Sequence, residues 1–125
     1  MTAFSSGDHH LACARDSLLL DHPKLPKGWT VAEDGFPPLT LDEQGRLIPA
    51  IRVFCRKPHG SINKAAAVLG IGRRNVVDVP AGRDEMAIGM DVQALDRELA
   101  KATELGVGCV VVVTLGEVNT VSTGR

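Results

Sequence analysis

A histidine, a serine and a predicted helix start lie close together in residues 58–61, and these groups suit the binding of a flat, charged ligand. An imidazole ring can hydrogen-bond a ligand through either nitrogen. Ser61 is a good helix N-cap, and a helix amino terminus attracts anions through its unpaired N–H groups. The spacing alone favours a simpler interpretation, in which His59 is an ordinary loop histidine.

A second polar segment follows the apolar run 109–114 and holds small or polar residues: Thr114, Gly116, Asn119 and Thr120. We predict a loop over residues 115–120, at the carboxyl end of a strand. In a parallel sheet this loop and the His59 loop emerge at the same edge, where α/β folds bind their ligands. Together the two loops suit a flat, phosphorylated ligand.

The elements that would position these groups alternate along the chain from residue 50. Short apolar, β-branched runs predict strands, and apolar residues at helical spacing predict helices. The strands are predicted at 50–55, 76–79 and 109–114, and the helices at 61–70 and 90–105, the latter with Asp91 as N-cap. This β-α-β-α-β order predicts an α/β fold with a parallel sheet and right-handed crossovers.

The length of 125 residues permits one small domain, which we divide into three parts. Residues 1–22 are predicted to be an N-terminal helix region, with its helix over 10–20. Residues 23–49 form a connection rich in proline and glycine, and residues 50–125 carry the βαβαβ portion. A connection of this length indicates either a surface excursion or missing packing partners.

Composition excludes several classes of function. The 14 basic and 15 acidic residues leave a net charge of −1, which argues against nucleic-acid binding and against a polybasic membrane patch. The three cysteines have no metal-binding spacing, so no metal site is expected. The first residues lack the pattern of a secretion signal, and no apolar run is long enough to span a bilayer. We therefore expect a cytoplasmic protein with reduced cysteines.

Several segments resemble the group II pyridoxal-phosphate-dependent amino-acid decarboxylases. Residues 58–66, P-H-G-S-I-N-K-A-A, are similar to the A-H-x-S-x-x-K-A motif that follows a strand in this family. Residues 112–120, V-V-T-L-G-E-V-N-T, are similar to the G-x-V-N-T loop of one branch of the family. Residues 12–16, A-C-A-R-D, resemble its A-x-A-R-D helix, and residues 90–95, M-D-V-Q-A-L, resemble its D-x-x-A-L helix.

The resemblance implies part of the large domain of a fold-type I enzyme, which is a homodimer and uses pyridoxal 5′-phosphate. The implied reaction is decarboxylation of a small-molecule amino acid, a carbon–carbon lyase reaction whose electrons the cofactor ring accepts. His59 would stack on the pyridoxal ring, and Gly116 and Asn119 would lie beside the cofactor. Ser6 and Gly7 would be a remnant of the phosphate-binding loop.

Two functional residues of the family are not found in this sequence: the aspartate that holds the pyridine nitrogen and the Schiff-base lysine. Lys64 is no substitute, because it lies on the helix after His59 and is predicted to face solvent. No catalytic residue is therefore assigned. The chain is interpreted as truncated and inactive alone, with open edges and uncovered faces on its sheet.

Two alternatives stay open at this point. The first is a non-catalytic remnant or interaction module that pairs with a full-length subunit. The second is another fold-type I enzyme, such as an aminotransferase.

Overall fold

The structure of the protein is a computed structural model that describes most of the chain. It describes residues 3–5, 7–56, 60–82, 90–115 and 118–124, with side chains for 10–56, 60–82 and 90–113. None of the helices in these ranges is both long enough and apolar enough to cross a bilayer.

The elements follow one another in the order β1 (Ala3–Ser5), α1 (Gly7–Leu20), α2 (Val31–Asp34), β2 (Thr40–Leu41), β3 (Leu47–Ile48), β4 (Ile51–Cys55), α3 (Gly60–Val68), β5 (Val76–Asp78), α4 (Val92–Leu105), β6 (Gly108–Leu115) and β7 (Val118–Gly124). A 3₁₀ turn over Arg73–Asn75 leads into β5. The main sheet has the spatial order β1-β7-β6-β4-β5, and β2 and β3 form a separate hairpin.

The predicted β-α-β-α-β unit is confirmed as β4-α3-β5-α4-β6, with β4 at its centre. Strand β4 pairs in parallel with β5 on one side and with β6 on the other. Both Val53 and Phe54, which point to opposite faces, are fully buried. Burial on both faces explains why β4 is a continuous apolar run rather than an alternating one.

Helices cover both faces of the sheet, and each face has its own apolar core. On one face α1 and α3 pack against Val53 and Cys55, and on the other α4 packs against Phe54 and Cys109. The expectation of uncovered faces is therefore corrected by α1, α3 and α4. The cysteines of β4 and β6 are buried, whereas Cys13 on α1 is half-buried.

Helix α4 follows its prediction closely because its cap and stop signals agree with its apolar stripe. The Asp91 carboxylate accepts hydrogen bonds from the N–H groups of Gln93 and Ala94, as an N-cap does. Gly106 then ends the helix in the left-handed conformation, with φ at 76°. Glycine adopts this conformation without the steric penalty of a Cβ atom.

The predicted start of α3 is wrong by one residue. The helix begins at Gly60, so Ser61 lies in its first turn and is not the N-cap. Serine is compatible with both positions, and the exact end of a helix is the part that sequence determines least.

The predicted loop over 115–120 is also wrong, because residues 118–120 belong to β7. Strand β7 pairs antiparallel with β6, and β1, which was not predicted, pairs antiparallel with β7. The β-branched residues between 118 and 123 favour this extended structure. Strand β7 therefore covers the edge of β6 that we expected to be open.

The connection over residues 23–49 is a surface excursion with short elements of its own. Residues 42–46 form a turn, in which the Asp42 side chain accepts the N–H groups of Gln44 and Arg46 at 3.0 and 2.8 Å. The bond from the Arg46 backbone is the main cause of the lowered pKa of Asp42. Trp29 and Phe36 pack against the core beneath α1 and α3.

Candidate functional site

The carboxyl ends of three parallel strands meet at one edge of the sheet, which we call the carboxyl edge. Strand β4 ends there at Cys55, β5 at Asp78 and β6 at Leu115. Cys55 lies level with Asp78 on one neighbouring strand and with Val112 on the other. Helix α3 starts at Gly60, soon after β4, so its amino terminus belongs to this edge.

The amino terminus of α1 belongs to the same edge. Strands β1 and β6 both pair antiparallel with β7, so they run in the same direction. Ser5 at the end of β1 is opposite Thr120, which is opposite Val113 near the end of β6. Gly7 begins α1 two positions later. Two helix amino termini therefore lie at the carboxyl edge, and the strands that precede them, β1 and β4, are three strand spacings apart, about 14 Å.

The first turn of α3 suits an anionic ligand group. It contains no acidic side chain, and the hydroxyl-bearing residue Ser61 is exposed there. The N–H groups of a helix's first turn carry partial positive charge, which an acidic residue in that turn would offset. No acidic residue within the first turn of α3 thus offsets its positive end, and a helix amino terminus of this kind commonly binds phosphate.

Cys55 and Asp78 are neighbours at this edge, but they do not form a nucleophile and base. The thiol is buried, and burial raises the pKa of Cys55 to about 11, with a smaller contribution from the negative charge of Asp78. The reactive form of cysteine is the thiolate, which is scarce at neutral pH when the pKa is so high. In the described ranges, His, Cys, Asp and Glu form no group able to hold a metal ion.

The described residues fit the binding of a phosphorylated cofactor but not its covalent attachment. Two helix amino termini and the exposed Arg56 lie at or beside the carboxyl edge and suit a phosphate group. The described lysines lie elsewhere: Lys24 and Lys27 in the connection, Lys64 exposed on α3 and Lys101 exposed on α4. The prediction that Lys64 faces solvent is confirmed.

The residues predicted to contact the cofactor fall mostly outside the described part of the chain. His59, Ser6 and Gly116 lie outside it, so their assignments stay predictions. Gly7 is the first residue of α1, and Asn119 lies in β7 opposite Thr114 of β6. The backbone of Gly7 and that of Asn119 lie at the carboxyl edge, and their assignments to the cofactor also stay predictions.

Sequence reasoning missed the role of Arg15, which joins α1 to α3. Its Nη1 donates a hydrogen bond to the carbonyl oxygen of Leu69, just after α3, at 2.8 Å. Its Nε donates to Asp16 at 2.9 Å. The A-C-A-R-D motif includes this arginine, but it could not predict the partner, because Leu69 lies 54 positions away.

The chain is similar to L-2,4-diaminobutyrate decarboxylase from Acinetobacter baumannii. The two sequences are 32% identical over an alignment of 103 residues, and this alignment covers 78% of this chain and 18% of the relative. The chain therefore spans less than a fifth of the length of the relative that it matches. No protein-family model matches the chain. The alignment supports a relationship to an amino-acid decarboxylase.

Proposed function

We propose that this chain forms part of the cofactor-binding large domain of a pyridoxal-phosphate-dependent amino-acid decarboxylase. The observation that carries the proposal is the alignment over 103 residues with a diaminobutyrate decarboxylase. The meeting of two helix amino termini at the carboxyl edge supports it, because this is where an α/β sheet binds a phosphorylated ligand.

The residues of the chain would bind and orient the cofactor. The first turn of α1, beside Ser6 and Gly7, would hold the phosphate through its N–H groups, and the first turn of α3 would lie nearer the ring. His59 would stack on the ring, and Asn119 would lie beside it. When bound, the cofactor supplies an aromatic ring that accepts the electrons released as the carboxylate leaves.

The 125-residue chain alone is expected to show no decarboxylase activity. A covalent link to the cofactor needs a lysine whose amine faces the carboxyl edge. Among the described lysines, Lys64 is the nearest in sequence to this edge, and it is exposed on α3. The lysine and the aspartate of the complete reaction would come from other parts of the enzyme.

Equilibrium dialysis of the purified chain with pyridoxal phosphate tests the binding role. We expect binding that weakens roughly three- to tenfold in His59→Ala, the range expected for loss of one aromatic stacking contact. The control is His59→Phe, which keeps a flat ring and should retain the affinity. Unchanged binding in His59→Ala would contradict the assignment of His59.

A second measurement separates binding from chemistry. After borohydride reduction, mass spectrometry should find no single lysine modified in full, and release of CO₂ from amino acids should be undetectable. Full modification of one lysine with turnover would refute the proposed lack of activity. Absence of cofactor binding, together with co-purification with a full-length decarboxylase subunit, would support the non-catalytic module instead.

A further inference from the structure

A groove lies at the end of the sheet opposite the carboxyl edge. Its volume is about 590 Å³, and its walls are the connection before β4 and the segment between α3 and β5. Pro49 lies just before β4 and Asn75 just before β5, so the groove is at the amino ends of these parallel strands. We call it the amino-edge groove. Its volume lies in the range of small-molecule sites.

The walls of the amino-edge groove are largely apolar. They include Phe36, Leu39, Leu47, Pro49 and Ile71. Leu39 and Leu47 are 49% and 56% exposed, which is a high fraction for leucine side chains. Exposed apolar side chains grouped around a concave site are typical of ligand-binding grooves.

Two arginines supply the charge of the groove. Arg73 and Arg74 both line it and are exposed. Within the described part of the chain, neither guanidinium group has a hydrogen-bond or ion-pair partner, and no acidic residue lines the groove. Asn75, by contrast, already donates its side-chain amide to the carbonyl oxygen of Ile71 at 2.8 Å.

The backbone fixes the position of the two arginines. They form the short 3₁₀ turn, whose last residue bonds through its N–H group to the carbonyl oxygen of Gly72 at 3.1 Å. The N–H group of Gly72 bonds in turn to Ala66 of α3 at 2.9 Å. The arginines are therefore held beside the apolar walls by a structured segment.

We propose that the amino-edge groove binds a small organic anion with an apolar body, such as an aryl carboxylate, sulfonate or phosphate ester. The apolar body lies against Phe36, Leu47 and Ile71. Arg73 and Arg74 pair with the acidic group, since guanidinium groups form strong, geometrically specific bonds with such anions. This site lies at the opposite end of the sheet from the carboxyl edge, so the proposal does not rest on cofactor binding.

A second copy of the chain is a weaker candidate for the occupant. A symmetric dimer centred on the groove would place the same patch on both sides of the interface. The arginines of one copy would then face those of the other, and like charges brought together at an interface oppose association. A small anion meets no such repulsion.

Two fluorescent probes of matched shape test the proposal: anilinonaphthalene sulfonate, which is an anion, and N-phenylnaphthylamine, which lacks the sulfonate. In the double variant Arg73→Gln/Arg74→Gln, we expect the Kd of the sulfonate to rise about tenfold, as loss of a charge-assisted contact predicts. The Kd of the neutral probe should stay within twofold. The double variant Arg97→Gln/Lys101→Gln, which removes two charges from α4 on the other face, should bind both probes normally.

A substitution that fills the groove with a larger side chain tests the proposal independently. Ala67 lines the groove and is exposed on α3, so Ala67→Phe should weaken both probes without disturbing the core. Ala100→Phe, at an exposed position of α4, is the matched control and should bind both normally. Far-UV circular dichroism shows that each variant is folded before its affinity is compared.

Three results would overturn the proposal. Equal binding of the sulfonate by the wild type and by the double arginine variant would exclude anion recognition. Equal binding by Ala67→Phe would place the probes outside the groove. A dimer detected by sedimentation that dissociates in Ala67→Phe would identify a second copy as the occupant.

Discussion

The protonation of one buried thiol makes the stability of the fold sensitive to alkaline pH. Burial raises the pKa of Cys55 from 9.0 to about 11, with the charge of Asp78 as the smaller cause. Between these values the folded chain keeps the proton that the unfolded chain has lost. The free energy of unfolding therefore falls as the pH rises through this interval, and Cys55 contributes no pH dependence below it.

Urea denaturation at pH values below 9 and near 11 measures this effect. We expect Cys55→Ala to show a smaller loss of stability across the interval than the wild type. Val112→Ala is the control, because Val112 is buried level with Cys55 but has no ionisable group. It should lower stability by a similar amount at every pH. An alkaline loss that is identical in Cys55→Ala and the wild type would contradict the prediction.

Sequence predicts the position of a site residue only where the neighbouring residues form a recognisable strand or helix. Position 59 follows a strand and precedes a helix in the sequence, which is enough to predict the edge of the sheet to which it belongs. The contribution of Gly7 to the same edge could not be predicted this way. It depends on the pairing of β1 with β7, and three residues carry too little local signal to predict a strand.

At the scale of elements, α1 and α3 are held together by a charged hydrogen bond as well as by apolar packing. Arg15 donates to the carbonyl oxygen of Leu69 and is 14% exposed, whereas its ion-pair partner Asp16 is 57% exposed. A half-buried bond to a charged donor contributes more to stability than an exposed ion pair. The bond to Leu69 should therefore matter more than the bond to Asp16.

Arg15→Ala is expected to lower the free energy of unfolding by roughly 1.5–3 kcal/mol, because it leaves the Leu69 carbonyl without this donor. Asp16→Ala is the matched control and should cost less than about 1 kcal/mol. Chemical denaturation of both variants provides the comparison. A larger loss in Asp16→Ala than in Arg15→Ala would contradict the greater contribution of the bond to Leu69.

Elements whose signals agree are the ones that sequence predicts well. Helix α4 has a cap at Asp91, an amphipathic stripe and a glycine stop, and all three agree with its position in the structure. Strand β7 has only β-branched residues in its favour, against a glycine and an asparagine that suggested a loop. Its pairing with β6 decides the outcome, and such long-range pairing is not visible in a local window.

At the scale of the whole molecule, one buried histidine ties the long connection to the sheet. His22 is 5% exposed, and its Nδ1 accepts the N–H of Lys24 at 3.2 Å. Its Nε2 therefore carries the proton of the neutral ring and donates to the carbonyl oxygen of Ala50 at 2.9 Å. The His22 side chain thus bonds to the backbone near the start of the connection, at Lys24, and just after its end, at Ala50.

Loss of His22 should weaken the fold as a whole. His22→Leu keeps an apolar bulk but removes both hydrogen bonds, each of which contributes about 0.5–1.5 kcal/mol to stability. The Ala50 carbonyl keeps the N–H group of Gly108 as its other partner. Thermal unfolding should show a lower Tm for the single main transition. Lys27→Leu, at an exposed position in the same connection, is the control and should leave Tm nearly unchanged. Equal stability of His22→Leu and the wild type would show that neither bond contributes.

The pairing of β1 with β7 also sets an order of assembly during synthesis. Residues 3–5 find their partners at 120–122, so the two strands are separated by almost the whole chain. Closing such a long loop is entropically costly and slow. Helix α1 is synthesised before β7, and it can pack against α3 before β7 has been translated. Residues 3–5 are therefore synthesised long before residues 120–122 but can be fixed in the sheet only once those partners exist.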